Sequence, residues 1–204
     1  MNPTSTLKTL LLEAGGLLLF WGCDTLGYGR YAPVAVVVFI AVDGLRRLRS
    51  GAGFPRVWRL FNGLALALAL LDIAARGQAW APFESVVANV LIACVFVLGA
   101  IGSKPLVQEI AEQRQGTPFP PERRNLTAFF RAYTWIWAAY FALRAGAWLW
   151  MTLNLPAERA HTLQGTIGSV SLFVMIVLSF RGKTLFQSLN KLGLFKASHN
   201  NGAA

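Results

Sequence analysis

Apolar and polar positions fall in long blocks along this chain. Apolar runs cover about 10–26, 31–45, 57–75, 84–102, 126–153 and 162–180, and short polar, often basic, stretches separate them. Runs of roughly 17 to 25 apolar residues are long enough to cross a bilayer core as helices. The second run is the shortest and is rich in valine. The pattern predicts an all-α fold, a polytopic membrane helix bundle of six transmembrane helices over residues 1–182. Residues 183–204 are predicted to form a cytoplasmic amphipathic helix and a disordered tail.

The stretch from Lys104 to Pro120 has echoes elsewhere. Arg114-x-Gly116-x-x-Phe119-Pro120 repeats Arg49-x-Gly51-x-x-Phe54-Pro55, and Lys104-x-Leu106-Val107-Gln108-x-Ile110 is answered by Lys183-x-Leu185-Phe186-Gln187-x-Leu189. The echoes suggest three repeated hairpins, each ending in a basic connection on the same side of the membrane. Leu185, Phe186, Leu189, Leu192 and Leu194 cluster at helical spacing opposite Lys183, Gln187 and Lys191. Such a helix lies at a membrane surface with its lysines toward anionic headgroups. Leu106, Val107 and Ile110 give a shorter version. Lys104, Gln108, Lys183 and Gln187 are accordingly candidates for a cytoplasmic interface, with the bilayer or with a partner protein.

Composition sharpens the class. Hydrophobic residues make up 55% of the 204 and charged residues only 14%, far from the soluble average. The formal net charge of +10 would point to nucleic acid in a soluble protein. Here the basic residues sit between apolar runs, so orientation by the positive-inside rule explains them and no nucleic-acid partner is predicted. Lys8, the group Arg46, Arg47, Arg49, Arg56 and Arg59, the group Lys104, Arg114, Arg123 and Arg124, and Arg181, Lys183, Lys191 and Lys196 fall on one side. Only Arg30, Arg76 and Arg159 fall in the connections on the other side. Both termini are therefore predicted to be cytoplasmic. Lys8 and the apolar run up to Gly22-Cys23 imitate a lipoprotein signal, but Phe20 and Trp21 are too bulky for its cleavage region, which predicts a retained first span.

Candidate chemistry is sparse. Cys23 and Cys94 form no framework, and His161 and His199 are too far apart in the chain to suggest a zinc site. There is no Walker loop, no Gly-x-Ser-x-Gly elbow and no His-Glu-x-x-His. No metal, cofactor or catalytic residue is predicted, and the chain is not expected to be an enzyme. Ionisable groups within spans are costly and must find partners. Arg144 lies well inside the fifth span, in its outer half, and Asp72 and Glu84 fall at similar depth. An intramembrane cluster of Arg144 with these carboxylates is expected, as a packing ion pair or as part of a ligand site. Tyr140 and Trp148 flank Arg144 one turn away on either side, at cation–π spacing. Phe129, Tyr133, Trp137 and Tyr140 continue that aromatic face, which would suit a lipid or isoprenoid as well as core packing. Glu13, Asn62 and Arg131 fall at comparable depth on the inner side, and Asp43 is explained by pairing with the arginines three and four residues later. Gly165 and Gly168 read as a close helix contact.

Lys104-Pro105-Leu106-Val107-Gln108, the following Arg124-Asn125-Leu126, the aromatic run from Tyr133 to Phe141 and Asn154 resemble the intracellular septation protein A family of bacterial inner-membrane proteins. The likeness covers about four fifths of the chain through short motifs. It implies an inner-membrane role in envelope growth or septation through other membrane proteins. A small transporter, or a lipid- or isoprenoid-binding protein using the Arg144 cluster, is the alternative the residues themselves leave open.

Overall fold

A computed structural model describes residues 19, 22–23, 26–28, 31–51, 53–75, 79–120, 124–182, 184 and 187–188, without the side chains of residues 114, 124 and 180. The first predicted span and the amphipathic segment after residue 182 lie mostly outside these residues, and so does the expected role of Glu13. The described chain is helical throughout, with no strand. Its helices are α1 (Ala32–Ser50), α2 (Arg56–Ala75), α3 (Glu84–Ile101), α4 (Leu106–Gln115), α5 (Arg124–Asn154) and α6 (Ala157–Phe180), with a 3₁₀ turn over Ala81–Phe83 before α3.

Three of these are long and apolar enough to cross a membrane: Arg56–Ala75, the 3₁₀ turn with α3 (Ala81–Ile101), and Ala157–Ser179. The other two long helices are diluted in different ways. α1 runs past the expected end at residue 45 and through Arg46, Arg47 and Arg49. Asp43 holds Arg47 at 2.9 Å one turn on, and the helix stops at Gly51, whose φ of 65° lets its N–H return to the carbonyls of Arg47 and Leu48. α5 is 31 residues long, about 46 Å, and carries Arg131, Arg144 and many tryptophans and tyrosines, which lower its mean hydropathy. α6 begins at Ala157, five residues before the expected start, because Pro156 ends the preceding turn.

The packing follows small residues. α1 and α2 pair through Val36, Ala65 and Ala69, with Val37 and Ile40 at the margin. The most extensive interface joins α3 to α5, where Ala93, Ala100, Ala138 and Ala145 are buried and let the backbones approach. Outward, large apolar side chains stand exposed, among them Leu70, Ile73, Leu98, Leu143, Leu153, Val170 and Phe173. α6 is nearly all exposed, with 6% of its apolar stretch buried. Apolar surface on this scale suits lipid rather than water.

The expected short amphipathic segment after the fourth run is a helix, α4, but its apolar side turns into the bundle. Leu106 is fully buried against Gly99, where an added Cβ would lie 2.6 Å from the Leu106 Cβ. Val107 and Ile110 face α5 and α6 across a pocket. The paired echoes do share a local form. Gly51 and Gly116 both end helices with positive φ, and the phenylalanine three residues later packs on a ring: Phe54 on Trp58 at 4.8 Å, Phe119 on Phe130 at 5.5 Å.

Candidate functional site

The polar structure of the molecule gathers at the end of the bundle where α3 stops. α3 breaks at Gly102, which is extended and makes no helical cap. Its last carbonyls are met by two arginines from other helices. Arg56, at the start of α2, donates to Leu98 O at 2.9 Å, to Lys104 O at 2.5 Å and to Glu109 Oε1 at 3.2 Å. Arg131 of α5 donates to Gly102 O at 3.2 Å and Ser103 O at 3.3 Å. Cations at a helix C-terminus also complement its dipole. Gly102 leaves room here for the Arg56 guanidinium, which a Cβ would displace.

α4 is then tied by one carboxylate. Glu112 is 8% exposed. Its Oε2 takes Lys104 Nζ at 2.5 Å, and its Oε1 takes Gln108 Nε2 at 2.9 Å and the backbone N–H of Phe119 at 3.1 Å. Its main-chain oxygen takes the N–H of Gly116 at 2.7 Å. Burial pushes the Glu112 carboxyl up, but the bonds from Lys104, Gln108 and Phe119 and the charge of Lys104 outweigh it and hold the group below the usual carboxylate range.

Between α3, α4, α5 and α6 lies a pocket of about 610 Å³. Phe96 of α3 and Trp137 of α5 stack at 5.5 Å toward one end; Phe119, Phe129, Phe130 and Tyr133 continue the wall; Val107, Ile110 and Ala111 of α4 close one side and Ile176 of α6 another. Among the described lining residues, polar side chains come from Gln115, from the Trp137 ring, and from Tyr133 with Ser179, whose hydroxyls bond each other at 2.9 Å. No charged side chain is among the described residues that line it.

The expected Arg144 cluster does not form. α5 presents Arg144 to α6, away from α2 and α3. Arg144 donates to the Tyr140 hydroxyl at 3.2 Å and lies over the Trp148 ring at 4.7 Å, and among the described residues it has no carboxylate partner. Asp72 on α2 and Glu84 at the start of α3 make no ion pair with it. The reason is in the sequence spacing. Tyr140, Arg144 and Trp148 share one face, and that face forms a polar seam with α6: Tyr140 to Ser171 at 2.9 Å, Arg144 against Gly168, and the Trp148 carbonyl to Gln164 at 3.4 Å. Gly168 is the close contact the glycine pair foretold, whereas Gly165 is exposed and touches nothing.

The remaining candidates separate. Trp137 lines the pocket, while Tyr140, beside it at 5.9 Å, turns to the seam. Lys104 and Gln108 both bond Glu112; Gln108 is buried, whereas the Lys104 side chain stays partly exposed. Gln187 is exposed, and Lys183 lies outside the described residues. Asp43 pairs with Arg47 as expected and also accepts Trp58 Nε1 at 2.7 Å. Sequence reasoning passed over Arg56, Glu112, Phe96 and Phe119. The spacing of Lys104, Gln108 and Glu112 at successive helical turns was the available signal, hidden because the segment was read as a surface helix. No protein-family model, curated protein or solved structure matches the chain.

Proposed function

We propose that this is an inner-membrane protein of six transmembrane helices with both termini cytoplasmic, and that it binds the apolar chain of a lipid or isoprenoid in the pocket between α3, α4, α5 and α6. The observation that carries the reading is the pocket itself: about 610 Å³, walled by stacked aromatic rings, with few hydrogen-bonding groups and no charged side chain among the described residues that line it. Ligand sites typically span about 300–1,000 Å³ with this mix of apolar wall and sparse polar groups. The reading assigns binding and no reaction. Purified protein should carry extractable lipid or prenyl chains, and Trp137→Ala should lower that load several-fold while the protein stays folded. Equal loads on both proteins, or none on either, would end the reading.

A second reading is favoured by one observation. Lys104 and Gln108, which carry part of the likeness to the septation family, tether Glu112 beside this pocket, and Leu106 anchors α4 against Gly99. A role in envelope growth through other membrane proteins would then run through the same region. Cross-linking in cells should capture membrane proteins at α4 in the native chain and lose them on Gln108→Leu; an unchanged set would remove this reading.

A further inference from the structure

The pocket has one wall that is held differently from the others. Residues 116–120 leave α4 at Gly116; Gly116, Thr117 and Pro118 run along a neighbouring cleft with Arg56 and Glu109, and Phe119 turns into the aromatic pocket with its ring against Phe130. Gly116 has a φ of 78°, a conformation open to glycine and costly for most other residues, and it marks where the chain swings away from the helix. Phe119 stands between Pro118 and Pro120. Proline fixes its own φ and offers no N–H, so this piece is stiff and short of donors. The Phe119 N–H is its anchor, and that donor is spent on Glu112 Oε1.

The N-terminal side of α4 is secured independently. Leu106 is buried against Gly99, and Arg56 joins Lys104 O, Glu109 and the end of α3. Breaking the Glu112 bonds would leave that side in place and free the other. Glu112 also ties the two ends together, with Lys104 on one oxygen and Phe119 on the other. Loops that gate sites turn about a few positions at element ends that absorb the backbone change, as Gly116 does at the end of α4.

We infer that the Phe119 ring is a movable wall of the aromatic pocket, carried on a segment hinged at Gly116, and that Glu112 is its latch. Phe119 narrows the pocket when its N–H is held; release of Glu112 swings the ring out and eases the entry of an apolar chain. The inference rests on the pocket reading above and adds how entry to that site is controlled.

The test is stopped-flow uptake of a polyene fatty acid by the full chain in dodecyl maltoside micelles, read by energy transfer from tryptophan. The Trp137→Phe protein supplies the background from micelles and the other tryptophans. Glu112→Ala should raise both uptake and release roughly tenfold, the scale of one lost charge-assisted hydrogen bond, with the equilibrium affinity changed much less. Phe119→Ala should also speed uptake and release, with the Glu112 contacts to Lys104 and Gln108 left in place, and should weaken equilibrium binding as well because it removes a wall residue, so a folding defect in the first variant does not decide the matter. Uptake seen only after Glu112→Ala or Phe119→Ala also supports the latch. Trp137-dependent uptake at equal rates in all three proteins overturns the movable wall and leaves the pocket standing. Absence of Trp137-dependent uptake in all three overturns the pocket and the movable wall with it.

Discussion

Glu112 shows how one residue can set the behaviour of a segment. Its folded value lies below that of a free glutamate, so its contribution to stability is complete above the ordinary range, about pH 4.3, and is lost as pH falls through the lower folded value. Thermal unfolding followed from about pH 7 to about pH 3 should show a drop at the acid end that Glu112→Gln flattens. An equal acid drop in both proteins would mean the clasp adds nothing. Gly168 makes the second residue-scale case. A Cβ there would meet the Arg144 guanidinium and lie 3.1 Å from the Trp148 ring. Gly168→Ala should cost about 1–3 kcal/mol by overpacking, while Gly165→Ala, with open space around it, should cost nothing measurable or stabilise. Equal effects of the two substitutions, measured by denaturation in mild detergent, would refute the contact.

Among the helices, the sequence was legible where composition decides and opaque where a face must be chosen. The predicted positions of α2, α3 and α5 match the structure within two residues at either end, because Pro and Gly punctuate long apolar runs. Arg144 falls within α5, and among the described residues its contacts are Tyr140 and Trp148 and not Asp72 or Glu84. Position along a helix is readable from a sequence, but the rotation of α5 about its axis is not. That rotation is fixed by Tyr133, Tyr140, Arg144 and Trp148 meeting Ser179, Ser171, Gly168 and Gln164 in turn. Hydroxyl and amide contacts of this kind hold helices together in lipid, where apolar side chains gain little by leaving the bilayer. Ser171→Ala with Ser179→Ala should therefore loosen α6 by about 1–2 kcal/mol, seen as faster hydrogen exchange in 157–180 than in α3. Uniform exchange across both helices would contradict this.

For the whole molecule, orientation is the property that can be tested most directly. In a background with Cys23 and Cys94 replaced by alanine, Thr117→Cys should resist a membrane-impermeant thiol reagent in intact cells. Ala79→Cys, beyond the other end of the bundle, should react. Both positions are exposed to solvent or headgroups, so burial does not confuse the result. Labelling of position 117 from outside would overturn the assignment. A sequence can carry such an expectation because the positive-inside rule depends on where charges lie along the chain and not on their contacts. It could not carry the pocket, which exists only once α4 folds back under α3 and α5.

Arg56 and Arg131 bring the two kinds of information together. Arg56 counts toward the expected orientation of the chain, and both arginines meet the carbonyls at the end of α3. Lysine would serve the first purpose equally well, being just as positive. It would not serve the second, because a single ammonium cannot reach three acceptors spread over Leu98, Lys104 and Glu109 with a planar fork. Arg56→Lys should therefore insert correctly and still lose about 1.5–3 kcal/mol of stability, which thermal denaturation of the properly oriented protein would register. In evolutionary terms the address on this chain is written in the same letters as its fastening. A drift of charge that re-addressed the protein to the opposite orientation would first have to take it apart.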